Sequence, residues 1–324
     1  MTKRCSNPNC YVHDGESCVD GHLDYLTECE HYRFGVADKK TKEGQTTPIE
    51  SAARVPWSGS TLGLADLITL LPRGRSILVG VLGAHDAGKT TLLLGNYLNC
   101  LRGSAIAEGE FCGSWTLGAW EALAAWSRFD DAARKPHFPP HTPRGTSRAP
   151  GLLHLVLRRK DQSLRDVLLS DAPGEWFTRW AINENAPEAE GARWTVEHAD
   201  TFLVIADCDR LSGPERGSAR TDLRQLLERL GGYVGTRPVV LVWTKTDKKP
   251  LAELTPGIRD SIQRALREAI PHATELTTTV SHPESLTEVL SCAVNSVWEQ
   301  KRCNPILEPV LHHQPFSAFR GVKC

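Results

Sequence analysis

Apolar runs and amphipathic stretches alternate along most of the chain. RSILVGVLG (75–83) is an apolar run of strand length, and TFLVIADCD (201–209) and RPVVLVWTKTD (237–247) repeat its texture. Runs of this kind belong to strands covered on both faces. LLHLVLRRK (152–160) and RDVLLSDA (165–172) read as a pair of strands, and TELTTTVSH (274–282) as a further one. Helical spacing marks LGLADLITLL (62–71), GKTTLLLGNYLNCLRG (88–103), RTDLRQLLERLGG (220–232), IRDSIQRALREAI (258–270) and SLTEVLSCAVNSVWEQ (285–300), with Gly103 placed to close the second of these. The alternation predicts an α/β fold, a three-layer sandwich with a mainly parallel sheet between helices. In such sheets ligands sit at the C-terminal ends of the strands.

The rest of the chain has a different texture. Residues 104–150 exceed an ordinary connection, carry Trp115, Trp120 and Trp126 in a helical patch, and end in the turn-rich HFPPHTPRGTSRAP. The three indoles suit either a partner-binding face or the apolar underside of one extra helix. The expected organisation is a Cys-rich segment over 1–35, a polar linker over 36–61, a domain over 62–301 with an insertion at 104–150, and a tail over 302–324.

Charge and cysteine content narrow the classes. Lys plus Arg number 38 against 39 Asp plus Glu, so the basic surplus of a nucleic-acid-binding protein is missing. The start, MTKRCSNPNC, lacks the apolar core of a signal peptide, and no run nears the ~18 apolar residues needed to span a bilayer. The expected location is cytoplasmic, where ten cysteines would be free, metal-bound or catalytic. Four of them, Cys5, Cys10, Cys18 and Cys29, fall in the first 29 residues with His13, His22 and His31 interleaved. Four thiolates suit a tetrahedral Zn²⁺, with a histidine able to replace one, and so polar a segment has little else to fold around. Residues 12–30 carry six acids and no Lys or Arg, which points to protein docking and away from nucleic acid. Cys100, Cys112, Cys208 and Cys292 lie in or beside apolar elements and are expected in the core.

Three short motifs carry the chemistry, each at the end of an expected strand. Gly83-Ala84-His85-Asp86-Ala87-Gly88-Lys89-Thr90 matches GxxxxGK[ST] between a buried strand and a helix. Gly83 and Gly88 allow backbone turns that aim successive N–H groups at phosphates, Lys89 reaches the β- and γ-phosphates, and the Thr90 hydroxyl suits Mg²⁺. Asp171-Ala172-Pro173-Gly174 follows, where the carboxylate can hold Mg²⁺ through water and the Gly174 N–H can meet a γ-phosphate. Thr244-Lys245-Thr246-Asp247 is the third. A carboxylate there can accept two hydrogen bonds from guanine's N1–H and amine, a pair that adenine does not present, while a lysine stem lies over the base plane.

GAHDAGKT, DAPGE and TKTD in this order resemble the Ras-like and translation-factor GTPases, the TRAFAC class of P-loop proteins, over about residues 75–301. The Cys-rich start looks more like the bacterial members of that clade found in conflict or signalling systems, some of them called double-GTPase proteins. The resemblance implies GTP or GDP with Mg²⁺ as ligands and a protein effector or GTPase-activating partner. Phosphate and base binding would then fall to Gly83, His85, Asp86, Ala87, Gly88, Lys89, Thr90, Thr91, Thr244, Lys245 and Asp247. The last base-binding turn would fall at Val280-Ser281-His282, with His282 in place of the family's small residue. Lys89, Thr146, Gly174 and Glu175 would carry catalysis, and Thr90, Thr146 and Asp171 would hold Mg²⁺. Thr142 is the alternative to Thr146, and the flanking Arg144 and Arg148 are either an in-chain arginine finger or exposed loop residues. Glu175 stands where the family carries Gln or His, and a carboxylate beside a γ-phosphate is repelled unless protonated or paired with a cation. Two functions follow: a hydrolysing switch, or a nucleotide-locked interaction scaffold with negligible turnover.

The zinc expectation has a direct check. Metal analysis should show lower zinc content in Cys10→Ser and Cys18→Ser proteins, and unchanged content in both would remove it.

Overall fold

Period-two alternation sends successive side chains of each central strand into different layers, and both layers are apolar. In β1 (Ser76–Gly83), Ile77, Val79 and Val81 face one layer while Leu78 and Leu82 face the other. The same split separates Leu203 and Ile205 from Phe202 and Val204 in β5 (Thr201–Asp207), and Val240 and Val242 from Leu241 and Trp243 in β6 (Val239–Thr244). Burial on both faces is what an unbroken apolar run requires.

The computed structural model of the protein describes residues 61–70, 76–128, 138 and 150–299. Besides the three strands above, it contains β2 (Glu110–Gly113), β3 (Gly151–Arg158), β4 (Leu164–Asp171) and β7 (Thr274–Thr277). The helices are α1 (Leu67–Leu70), α2 (Lys89–Leu101), α3 (Leu117–Ala125), α4 (Gly174–Ile182), α5 (Glu190–His198), α6 (Cys208–Ser212), α7 (Arg216–Val234), α8 (Pro256–Ala269) and α9 (Pro283–Trp298). The sheet order is β2-β3-β4-β1-β5-β6-β7, with the β2–β3 and β3–β4 pairs antiparallel and the remaining pairs parallel. Val79 at the centre pairs with Leu169 on one side and Thr201 on the other. Helices α4 to α8 cover one face and α2, α3 and α9 the other, so the expected three-layer α/β sandwich is the fold. Among the described residues no helix is long and apolar enough to cross a membrane.

Helix α2 ends as its sequence indicates. Gly103 takes the left-handed region (φ +88°), its N–H donates to Cys100 O and the Ser104 N–H to Asn99 O, each at 3.0 Å. That pair of bonds satisfies carbonyls the helix would otherwise leave open.

The stretch after α2 is fixed to the sheet by a buried histidine. His154 in β3 accepts a hydrogen bond at Nδ1 from the Trp115 N–H (2.9 Å), so Nε2 carries the proton and donates to Asp166 Oδ1 (2.9 Å). Its carbonyl accepts from Ser114 Oγ (2.6 Å) and Trp120 Nε1 (2.9 Å). Trp120 is fully buried and stacks on Tyr97 of α2 with ring centroids 5.0 Å apart. Trp126 caps α3 and is 49% exposed, so the three indoles do not share one face.

Cys100 and Cys208 are buried as expected, but Cys112 is exposed and Cys292 only partly covered. The reason for Cys112 is its place on β2, a four-residue edge strand whose positions 110 and 112 face solvent. Strand β7 is shorter than TELTTTVSH suggests, because pairing with β6 stops at Thr277. Cys5, Cys10, Cys18 and Cys29 lie outside the described residues.

Trp120 makes the cost of loosening this region measurable. Trp120→Ala removes a filled buried site and a stacked ring, and should destabilise the protein by about 3–5 kcal/mol in denaturant unfolding. A change below about 1 kcal/mol would show that the α2–α3 contact adds little.

Candidate functional site

The connection from β1 to α2 has to turn sharply while aiming its N–H groups inward. Gly88 caps α2 at φ +93°, a conformation that costs glycine least, and Asp86 is also left-handed at φ +57°. Lys89, only 7% exposed, folds over this loop, its Nζ donating to Gly83 O (3.1 Å) and Ala84 O (2.8 Å). Burial lowers its pKa to about 8, and the charges of Asp171, Glu175 and Asp86 only partly offset this. Three carboxylates thus look toward one desolvated ammonium.

The second motif meets the loop from β4. Thr90 Oγ1 donates to Asp171 Oδ1 at 2.9 Å, which brings a hydroxyl and a carboxylate together at the start of α2. Such an all-oxygen donor set suits a hard cation such as Mg²⁺. Gly174 opens α4 directly against the loop backbone. A Cβ built there would lie 2.3 Å from the Ala84 carbonyl carbon and the His85 nitrogen, so only glycine fits. Glu175 follows in the first turn of α4, where a negative charge suits the helix N-terminus, and its Oε1 stands 3.5 Å from His85 Nδ1.

The third motif is tied to the loop by its own side chains. Thr244 Oγ1 donates to Ala87 O (2.9 Å) and lies 3.3 Å from Ala206 O, linking β6 to the loop and to β5. Lys245 is left-handed at φ +57°, and its Nζ donates to Asp207 Oδ2 at 2.8 Å and stands 3.7 Å from Asp86. Burial works against this ammonium, but the hydrogen bond and charge of Asp207, helped by Asp86 and Asp209, hold its pKa above the ordinary lysine value. Asp207 also accepts from the Asp209 and Arg210 N–H groups (2.9 and 3.2 Å), capping α6. Asp247 Oδ1 accepts from Thr279 Oγ1 at 2.7 Å, which fixes the rotation of its carboxylate.

Asp86, Gly88, Thr91, Thr244, Lys245 and Asp247 share the lining of one open cleft. Opposite them the lining is Thr278, Thr279 and Val280, the last being the first residue of the expected Val280-Ser281-His282 turn. Ser281 donates its N–H to Thr279 Oγ1 (3.2 Å), and His282 caps α9. Thr279 carries no mark in the sequence, being the third of three threonines. Asp207 does carry one, as an acid closing an apolar strand. Phe138 lines the cleft too, while Thr142, Arg144, Thr146 and Arg148 lie outside the described residues. Among the described residues no cluster of three or more His, Cys, Asp or Glu has the arrangement of a metal site.

The Lys89 environment sets a pH dependence. In the free protein this lysine loses its proton as pH rises through about 8, whereas a bound polyphosphate favours the ammonium form, so binding above that pH takes up a proton. Affinity for a nucleoside diphosphate should therefore be level below pH 7.5 and fall toward about tenfold per unit above 8. Lys89→Arg should flatten the profile up to pH 9. A level wild-type profile would contradict the desolvated lysine.

Comparison with known proteins gives this geometry its family. The model of the family Double-GTPase 2 matches residues 77–296, a span that takes in all three motifs and Thr279. No curated protein matches. Among solved structures, the chain is similar to translation elongation factor SelB from Methanococcus maripaludis in complex with the GTP analogue GppNHp, at 13% identity and a TM-score of 0.38, covering 70% of this chain and 35% of that one. It is also similar to a bacterial selenocysteine-specific elongation factor, EF-Sec, at 14% identity and a TM-score of 0.38, covering 71% of this chain and 30% of that one. The chain spans about a third of the length of each. With the family model covering most of the chain, the protein belongs to the Double-GTPase 2 family of TRAFAC-class P-loop GTPases and is a GTP-binding protein.

Proposed function

We propose that the protein binds GTP with Mg²⁺, hydrolyses it to GDP and phosphate, and works as a molecular switch for protein partners. The observation that carries this reading is the convergence of Lys89, Asp171, Gly174 and Asp247 on one loop-and-cleft system, each fixed by a neighbour. Asp247, held by Thr279, would accept from guanine's N1–H and amine, and the Lys245 stem would flank the base.

Loop N–H groups and the Lys89 ammonium would hold the β- and γ-phosphates and stabilise the charge that develops on transfer. The Gly174 N–H would face the γ-phosphate and disengage once it leaves. Thr90 and Asp171, with Thr146 from the preceding loop, would hold Mg²⁺, which supplies charge neutralisation at the phosphates when bound. Glu175 would orient the attacking water. A protein effector or GTPase-activating partner, a cytoplasmic setting and a zinc-bound N-terminal segment complete the proposal.

Competition of GDP and ADP for a fluorescent guanine nucleotide tests the base site. GDP should compete strongly and ADP weakly. Asp247→Asn should weaken GDP by about 10–100-fold, the worth of hydrogen bonds to a charged group, with little change in thermal stability. Equal competition by ADP would remove the guanine assignment. Guanine binding without phosphate release, with or without partners, would leave a nucleotide-locked scaffold.

A further inference from the structure

Glu175 sits where a hydrolase of this proposed type needs a group that holds water, yet a carboxylate there is repelled by the phosphate charges. Three features fix its position. Gly174 is wedged against the Ala84–His85 peptide, so the first turn of α4 cannot withdraw from the loop without breaking that contact. The Glu175 carboxylate is close enough for its charge to act on the Lys89 ammonium. His85, from the loop itself, stands with Nδ1 3.5 Å from Glu175 Oε1. Both side chains are partly open, 48% and 34% exposed, so water reaches the pair.

We infer that His85 is a positioning residue for Glu175, and that the two side chains form a water-orienting pair contained within this chain. The inference rests on the hydrolytic reading above. The imidazole donates Nδ1–H to Oε1, which fixes the carboxylate's rotation and withdraws negative charge from the side facing the phosphates. Contacts of this length between catalytic groups shorten in the reacting complex. The other carboxylate oxygen then accepts from the attacking water.

In the step, the water oxygen forms a bond to the γ-phosphorus and its proton passes to the Glu175 carboxylate. The bond from the γ-phosphorus to the β–γ bridging oxygen breaks, and its electron pair stays on GDP. Glu175 returns the proton to the released phosphate, so GTP and water give GDP and phosphate with the enzyme unchanged. His85 exchanges no proton with substrate.

Single-turnover phosphate release with Mg²⁺ and saturating GTP tests the pair, and GDP binding reports folding in each variant. His85→Leu and His85→Ala should slow turnover about tenfold or more, on the scale of lost proton-transfer assistance, with GDP affinity kept within about threefold because residue 85 would meet the phosphates through its main-chain N–H, which both variants retain. His85→Asn should stay within about threefold of wild type, because its amide nitrogen falls near the place of Nδ1. In a Glu175→Ala background His85→Leu should cost nothing further, since the side chain it positions is gone. Equal losses for His85→Asn and His85→Leu, or an undiminished loss in the Glu175→Ala background, would overturn the pairing. Wild-type turnover that His85→Leu leaves intact would overturn the pair alone. A wild type that binds GDP and releases no phosphate would overturn the hydrolytic reading and this role with it.

Discussion

Lys89 carries its ammonium into a site that water barely reaches, and desolvating a charge of that size is costly unless polar groups surround it. The loop supplies two carbonyls within hydrogen-bond range, and Asp171, Glu175 and Asp86 supply opposing charge. These groups come from two parts of the chain, residues 83–86 after β1 and residues 171–175 at the end of β4, and they converge because β1 and β4 end side by side in a parallel pair. The strand ends, the left-handed turn at Gly88 and the glycine at 174 are geometric conditions of that one buried cation.

Around it, the motif residues are bound to one another before any ligand is considered. Thr90 holds Asp171, Thr244 holds the Ala87 carbonyl, Asp207 holds Lys245 and Thr279 holds Asp247. Side chains fixed this way lose little further freedom on binding, which is how preorganised sites keep affinity. The cluster also explains why β4, β5 and β6 each end at this edge in a buried polar residue, Asp171, Asp207 and Thr244. Asp207 shows the economy of the arrangement: one carboxylate caps α6 and pairs with Lys245.

Much of this was legible in the sequence, for identifiable reasons. The central strands are apolar on both faces, so their runs stand out, and glycine, lysine and threonine at fixed spacing between a run and a helix leave few alternatives. What escaped was short or non-local. Helices α4 and α5 have nine residues each, and α4 starts within a Pro-Gly pair that reads as a turn. The edge strand β2 has four residues and no apolar alternation to mark it. Thr279 is hidden among identical neighbours, and only folding shows which of three hydroxyls meets Asp247. The nearness of His85 to Glu175 joins positions 90 residues apart, and no local pattern encodes it.

Helix α4 is gripped at both ends. Its first residue rests on the Ala84–His85 peptide, and its last carbonyls, Ala181 O and Ile182 O, lie 3.3 and 3.4 Å from the Arg229 guanidinium of α7. Between these ends Phe177 and Trp180 are sealed in the core. Nine residues make a rod of about 13 Å, too short to bend appreciably. The loop backbone and α7 are therefore joined through one short rigid helix. The helix acts as a strut between the phosphate loop and the outer face of the molecule, and its stiffness sets how far a change at the loop is felt.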